Sequence, residues 1–99
     1  MKAETAIKNL NEVADSEMRV NRKQIRGTKA WRLIMDALEN KKTVIRPCEV
    51  QGTGRYIKNA DYTGGVRYLL IRAKIKFSFE NDAPRGGLTG NKITLTHIQ

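Results

Sequence analysis

Between residues 66 and 80 apolar and polar side chains alternate almost without error. Leu69, Ile71, Ala73, Ile75, Phe77 and Phe79 share one parity, and Tyr68, Leu70, Arg72, Lys74, Lys76 and Ser78 share the other. In an extended chain successive side chains point to opposite faces, so the pattern predicts one long strand over 66–80 with an apolar core face and a cationic outer face. A strand of that kind has to bury its apolar side against something. The first forty residues offer two amphipathic helices.

In residues 3–18, Ile7, Leu10, Ala14 and Met18 recur at three- and four-residue intervals. Val13 widens the stripe, and Glu4, Lys8, Glu12 and Asp15 lie opposite. In residues 29–42 the stripe is Trp31, Ile34, Met35 and Leu38, flanked by Ala30, Leu33 and Ala37. Thr28 precedes it as an N-cap whose hydroxyl can accept a free helix N–H. Asn40, Lys41 and Lys42 suit a C-terminus, where cations favour the dipole.

The rest is punctuated more heavily. Residues 43–46 and 48–50 predict a short strand interrupted by Pro47, hence an edge strand or a bend. Residues 51–65 predict a long loop with a short strand at 55–58. Residues 81–91, with Pro84, Gly86, Gly87 and Gly90, predict a second loop. Residues 92–98 alternate again and are expected to close an antiparallel hairpin with the long strand. The expected fold is α+β, with two N-terminal helices followed by a small antiparallel sheet of three or four strands. At 99 residues it is expected to form a single domain, 1–99.

Charge narrows the class of partner. Nineteen Lys and Arg oppose ten Asp and Glu, a net charge of +9. Residues 1–40 hold eight basic and six acidic residues, net +2, and residues 41–99 hold eleven and four, net +7. Such a chain favours nucleic acid or an acidic protein surface. No stretch approaches the roughly 18 apolar residues of a membrane span, and neither helix reads as a membrane-surface helix. The first residues, Met-Lys-Ala-Glu-Thr, lack the apolar core of a signal peptide, and a lone Cys48 cannot form an internal disulfide. A cytoplasmic protein without a membrane partner is expected.

Three groups of residues are candidates for polyanion binding. Arg72, Lys74 and Lys76 would stand on one face of the long strand, roughly 6–7 Å apart. Glutamate at all three positions should then abolish binding. A basic run, Arg19, Arg22, Lys23, Arg26, Lys29 and Arg32, contains no acid and leads into the second helix. A helix-turn-helix with Gly27 in its turn is conceivable there, although Trp31, Ile34, Met35 and Leu38 are committed to the core. Finally Arg55, Tyr56, Lys58, Tyr62, Arg67 and Tyr68 interleave rings with cations, as in sites that stack bases and contact phosphates.

Chemistry beyond binding has little support in the sequence. Gly52-Thr53-Gly54 lacks the GK[ST] of a phosphate loop and reads as a turn. Cys48 and His97 are single, so a metal site would need unusual carboxylate help, and no cofactor is expected. Arg72, Tyr68 and Glu49 are residue types that a metal-free ribonuclease could use, a minor alternative. The main expectation is a non-enzymatic nucleic-acid-binding protein. The alternative is a protein–protein module or inhibitor, of the kind a phage or mobile element uses as an accessory, docking on an acidic or nucleic-acid-binding surface. Pairing of an exposed strand edge with a second copy is a further expectation.

Overall fold

The helical periodicity of the N-terminal part is realised in two helices. The structure, a computed structural model, describes residues 1–16 and 24–99. Helix α1 (Ala3–Ser16) buries Ala6, Leu10, Val13 and Ala14, with Ile7 packed beside them. Met18, the expected end of that stripe, lies outside the described residues. Helix α2 (Lys29–Glu39) buries Ala30, Trp31, Ile34, Ala37 and Leu38. It begins as expected at Thr28, whose hydroxyl accepts the Trp31 N–H at 3.3 Å. It stops at Glu39 rather than 42. There Lys41 takes a left-handed φ of 56°, and the Lys42 N–H returns to the Ala37 carbonyl at 2.8 Å, closing a Schellman motif.

The largest departure from expectation is in residues 66–80, which form no continuous strand. They divide into the greater part of helix α3 (Thr63–Arg72), a turn, and most of strand β4 (Phe77–Asn81). Val66, Leu69, Leu70 and Ala73 are spaced i, i+3, i+4 and i+7, and all four are buried. The run is so rich in apolar residues that it satisfies a helical period as well as a period of two, and packing against α1 and α2 selects the helix. Parity fails at its centre. Leu70, expected outward, is 0% exposed, and Ile71, expected inward, is 62% exposed.

The ends of α3 explain its low visibility. Its first turn contains Gly64 and Gly65, poor helix formers. A Cβ at Gly65 would lie 3.0 Å from the Ala30 Cβ, so the glycine permits the close crossing of α3 and α2. Its C-terminus is a second Schellman motif with a lysine, not a glycine, in the left-handed position. Lys74 has φ 59°, its N–H reaches the Ile71 carbonyl at 3.1 Å, and the Ile75 N–H reaches Leu70 at 2.9 Å.

Strands β1 (Val44–Ile45), β4 and β5 (Asn91–Leu95) form an antiparallel sheet in the order β1-β5-β4. Phe77 lies opposite Leu95 and Phe79 opposite Ile93, so the expected closing hairpin is present. Ile45, Ile93 and Leu95 join the buried residues of all three helices in one core. On the outer face Lys92 pairs across the strands with Glu80 at 3.0 Å. Strand β2 (Cys48–Gln51) falls on the strand segment expected at 48–50, and it pairs with β3 (Lys58–Asp61), which lies in the segment expected to be mostly loop, in a separate hairpin. Pro47 therefore does not interrupt one strand. It is buried where the chain leaves the larger sheet for the smaller. The α+β class holds, with a third helix and a second small sheet. Among the described residues no helix is long and apolar enough to cross a membrane.

Candidate functional site

Three elements start from one polar junction. Asp61 ends β3, and its Oδ1 accepts the Thr63 N–H at 2.9 Å, capping α3. The Cys48 thiol of β2 donates to the same oxygen at 3.3 Å. From the start of β5 the Asn91 amide donates to the Thr63 hydroxyl at 3.0 Å, and the Asn81 amide at the end of β4 donates to Asn91 Oδ1 at 2.9 Å. The base of the β2–β3 hairpin, the N-terminus of α3 and both ends of the β4–β5 loop are thus held together. The Thr63 hydroxyl and N–H hold the Asp61 carboxyl below the usual carboxylate range. Burial pushes the Cys48 thiol up, and its bond to Asp61 adds to the rise, which favours the protonated thiol that donates in this junction.

Around this junction the acids are already engaged. Residues 44–92 contain four carboxylates. Glu49 pairs with Lys29 at 2.9 Å, Glu80 with Lys92 at 3.0 Å, and Asp82 receives both Arg46 nitrogens at 2.7 and 2.8 Å. Asp61 is the cap of α3. Besides Lys74 and Lys76, beyond the far end of α3, four exposed cations of the same region have no carboxylate within ion-pair distance among the described residues. Arg55 lies in the turn of the β2–β3 hairpin, Lys58 begins β3, Arg67 lies on α3 and Arg85 lies in the β4–β5 loop. The Arg67 guanidinium stacks over the Phe79 ring of β4, 5.3 Å from its centroid.

The expected cationic row is not formed. Arg72 is the last residue of α3, Lys74 sits in the left-handed turn and Lys76 precedes β4. All three are exposed, but alternation on a strand does not align them. Lys74 and Lys76 line a shallow pocket with Met1 and His97, beyond the end of α3 that faces away from the junction. Of the basic run, Arg19, Arg22 and Lys23 lie outside the described residues. Arg26 is tied to Asp15 at 2.8 Å and to Asn11 at 3.0 Å, and it covers the Trp31 ring. The three tyrosines are dispersed. Tyr56 is 85% exposed at the hairpin turn, Tyr68 is 44% exposed on α3, and half-buried Tyr62 accepts from Gln51 at 3.2 Å.

Comparison with protein-family models, curated proteins and solved structures finds no match. The site is therefore defined by its own geometry. Reading the sequence alone passed over Arg85, Ile71 and the junction residues Asn81 and Asn91. Arg85 sits in a Pro-Arg-Gly-Gly segment between two strands, a signal that an exposed basic turn was available. The junction bonds themselves leave no local signal, because the Asn81–Asn91 and Asn91–Thr63 partners are 10 and 28 residues apart.

Proposed function

We propose that the protein binds nucleic acid without catalysing a reaction on it, contacting phosphates through Arg55, Lys58, Arg67 and Arg85. One observation supports this reading most directly. Every carboxylate between residues 44 and 92 is engaged within the protein, while these four cations, on α3, the β2–β3 hairpin and the β4–β5 loop, meet none among the described residues. Unbalanced exposed charge of one sign is self-repelling and is relieved by a polyanion, whose condensed counterions are released on binding.

Fluorescence anisotropy of a labelled oligonucleotide over a range of salt tests the proposal. Four phosphate contacts on duplex DNA correspond to a slope of log K against log salt of about −3.6. Alanine at Arg55 or Arg85 should lower that slope by about one each. Glutamate at Arg72, Lys74 and Lys76 should weaken binding through net charge without abolishing it. Salt-independent association, or unchanged binding after all four proposed contacts are replaced, would remove the basis of the reading.

A second reading has an observation of its own. Val50, Tyr56 and Ile57 expose apolar surface on and beside the β2–β3 turn, next to Arg55 and Lys58. Such a hairpin also suits an acidic protein surface with an apolar centre. Association with an acidic protein that survives nuclease and is lost in Ile57→Glu would favour it.

A further inference from the structure

We infer that the nucleic acid is a double helix and that α3 is the element presented to its major groove. This rests on the function proposed above and specifies its substrate. The three described helices differ in charge. α1 carries Glu4, Glu12 and Asp15 with Lys8 on its exposed side, and α2 carries Asp36 and Glu39 with Arg32. α3 contains no carboxylate and has arginines at positions 67 and 72. The outer sides of α1 and α2 would bring carboxylates against phosphate, whereas α3 has none to bring.

The outer strip of α3 also has suitable dimensions and chemistry. Gly64, Arg67, Tyr68, Ile71 and Arg72 are exposed along a helix of ten residues, about 15 Å long. A major groove about 12 Å wide admits such a helix. Ile71 is 62% exposed in the last turn of the strip, beside Arg72 and one turn from Arg67. An apolar side chain there can contact a thymine methyl, and an arginine can donate two hydrogen bonds to guanine. Arg67 is partly preorganised by the Phe79 ring beneath it. With α3 in the groove, Arg85 and the Arg55–Lys58 turn belong to the two loops that leave the same junction, and they supply the backbone contacts.

Single strands call for a different surface. They are held on exposed rings that stack successive bases. Here Tyr56, Tyr62 and Tyr68 sit on a hairpin turn, in a half-buried position and on a helix, so the three tyrosines do not line one element as a row of rings.

The test compares a labelled duplex of about 20 base pairs, two helical turns, with one of its strands. The duplex should bind about tenfold or more tightly than the strand. Ile71→Glu and Arg67→Glu should each weaken duplex binding about tenfold or more, whereas Arg32→Glu, the same charge change on the outer face of α2, should alter it less than about threefold. Circular dichroism and thermal melting confirm that each exposed substitution leaves the fold intact. Equal or tighter binding of the single strand, or parent-like duplex binding by Ile71→Glu and Arg67→Glu, overturns the groove assignment and leaves nucleic-acid binding standing. Failure of the parent protein to bind either oligonucleotide overturns the underlying function itself.

Discussion

The side-chain amide of Asn91 donates to the hydroxyl of Thr63 at 3.0 Å, fastening the start of β5 to the first turn of α3 across 28 residues of chain. The same asparagine accepts from Asn81, so a single side chain connects the helix, the loop and both strands of the hairpin. Asn91→Ala deprives the Thr63 hydroxyl of a donor and leaves the Asn81 amide without this acceptor. A loss of about 1–2 kcal/mol in unfolding free energy is expected from denaturant titration. On thermal melting that corresponds to a fall of roughly 4–8 °C per kcal/mol for a domain of this size. A melting temperature equal to the parent's would show that the junction is not a structural tie.

Leu70 and Ile71 separate the helix from the strand that alternation suggests. On α3, Leu70 is fully buried and Ile71 is exposed. Leu70→Ala should cost about 2–5 kcal/mol, the range for a large buried aliphatic residue. Ile71→Ala should stay within about 0.5 kcal/mol, as for an ordinary surface position. Reversal of that order in urea denaturation would restore the extended reading of residues 66–80.

Lys74 occupies a left-handed position that glycine adopts without a steric penalty. A non-glycine residue there costs about 1–2 kcal/mol, and glycine gives back roughly half of that through the greater freedom of the unfolded chain. Lys74→Gly should therefore stabilise the protein by about 0.5–1 kcal/mol. Calorimetry of the variant beside Lys74→Ala, which keeps the strain, isolates the backbone effect from the loss of charge.

Acid should weaken the fold through Asp61 and Asp82. Thr63 holds the Asp61 carboxyl below its ordinary value of 3.8, and Arg46 does the same for Asp82. A carboxylate with a lower pKa in the folded than in the unfolded state adds stability above the unfolded pKa. That contribution is lost as pH falls through the folded pKa. Denaturation midpoints should stay level from neutral pH down to about 5 and drop below about 4, modestly because solvent screens both groups. Asp61→Asn should flatten part of that drop. A midpoint that rises on acidification would contradict the assignment.

Much was legible from the residues alone. The stripes of α1 and α2, the Thr28 cap, the β4–β5 pairing, the turn at Gly52-Thr53-Gly54 and the excess of positive charge are all local or compositional. All but the β4–β5 pairing, a hairpin whose partners lie 10 to 18 residues apart, depend on contacts within a few residues or on none. Tertiary structure decided the conformation of residues 66–73, where two periodicities fit the same apolar run and only burial of Val66, Leu69, Leu70 and Ala73 against the other helices separates them. It also decided which cations stay uncompensated, since Arg46 finds Asp82 across 36 residues and Lys29 finds Glu49 across two elements. Periodicity reports which side chains can share a face. Pairing between distant charges, and the choice between two equally patterned backbones, are settled by surfaces that exist only once the chain has folded.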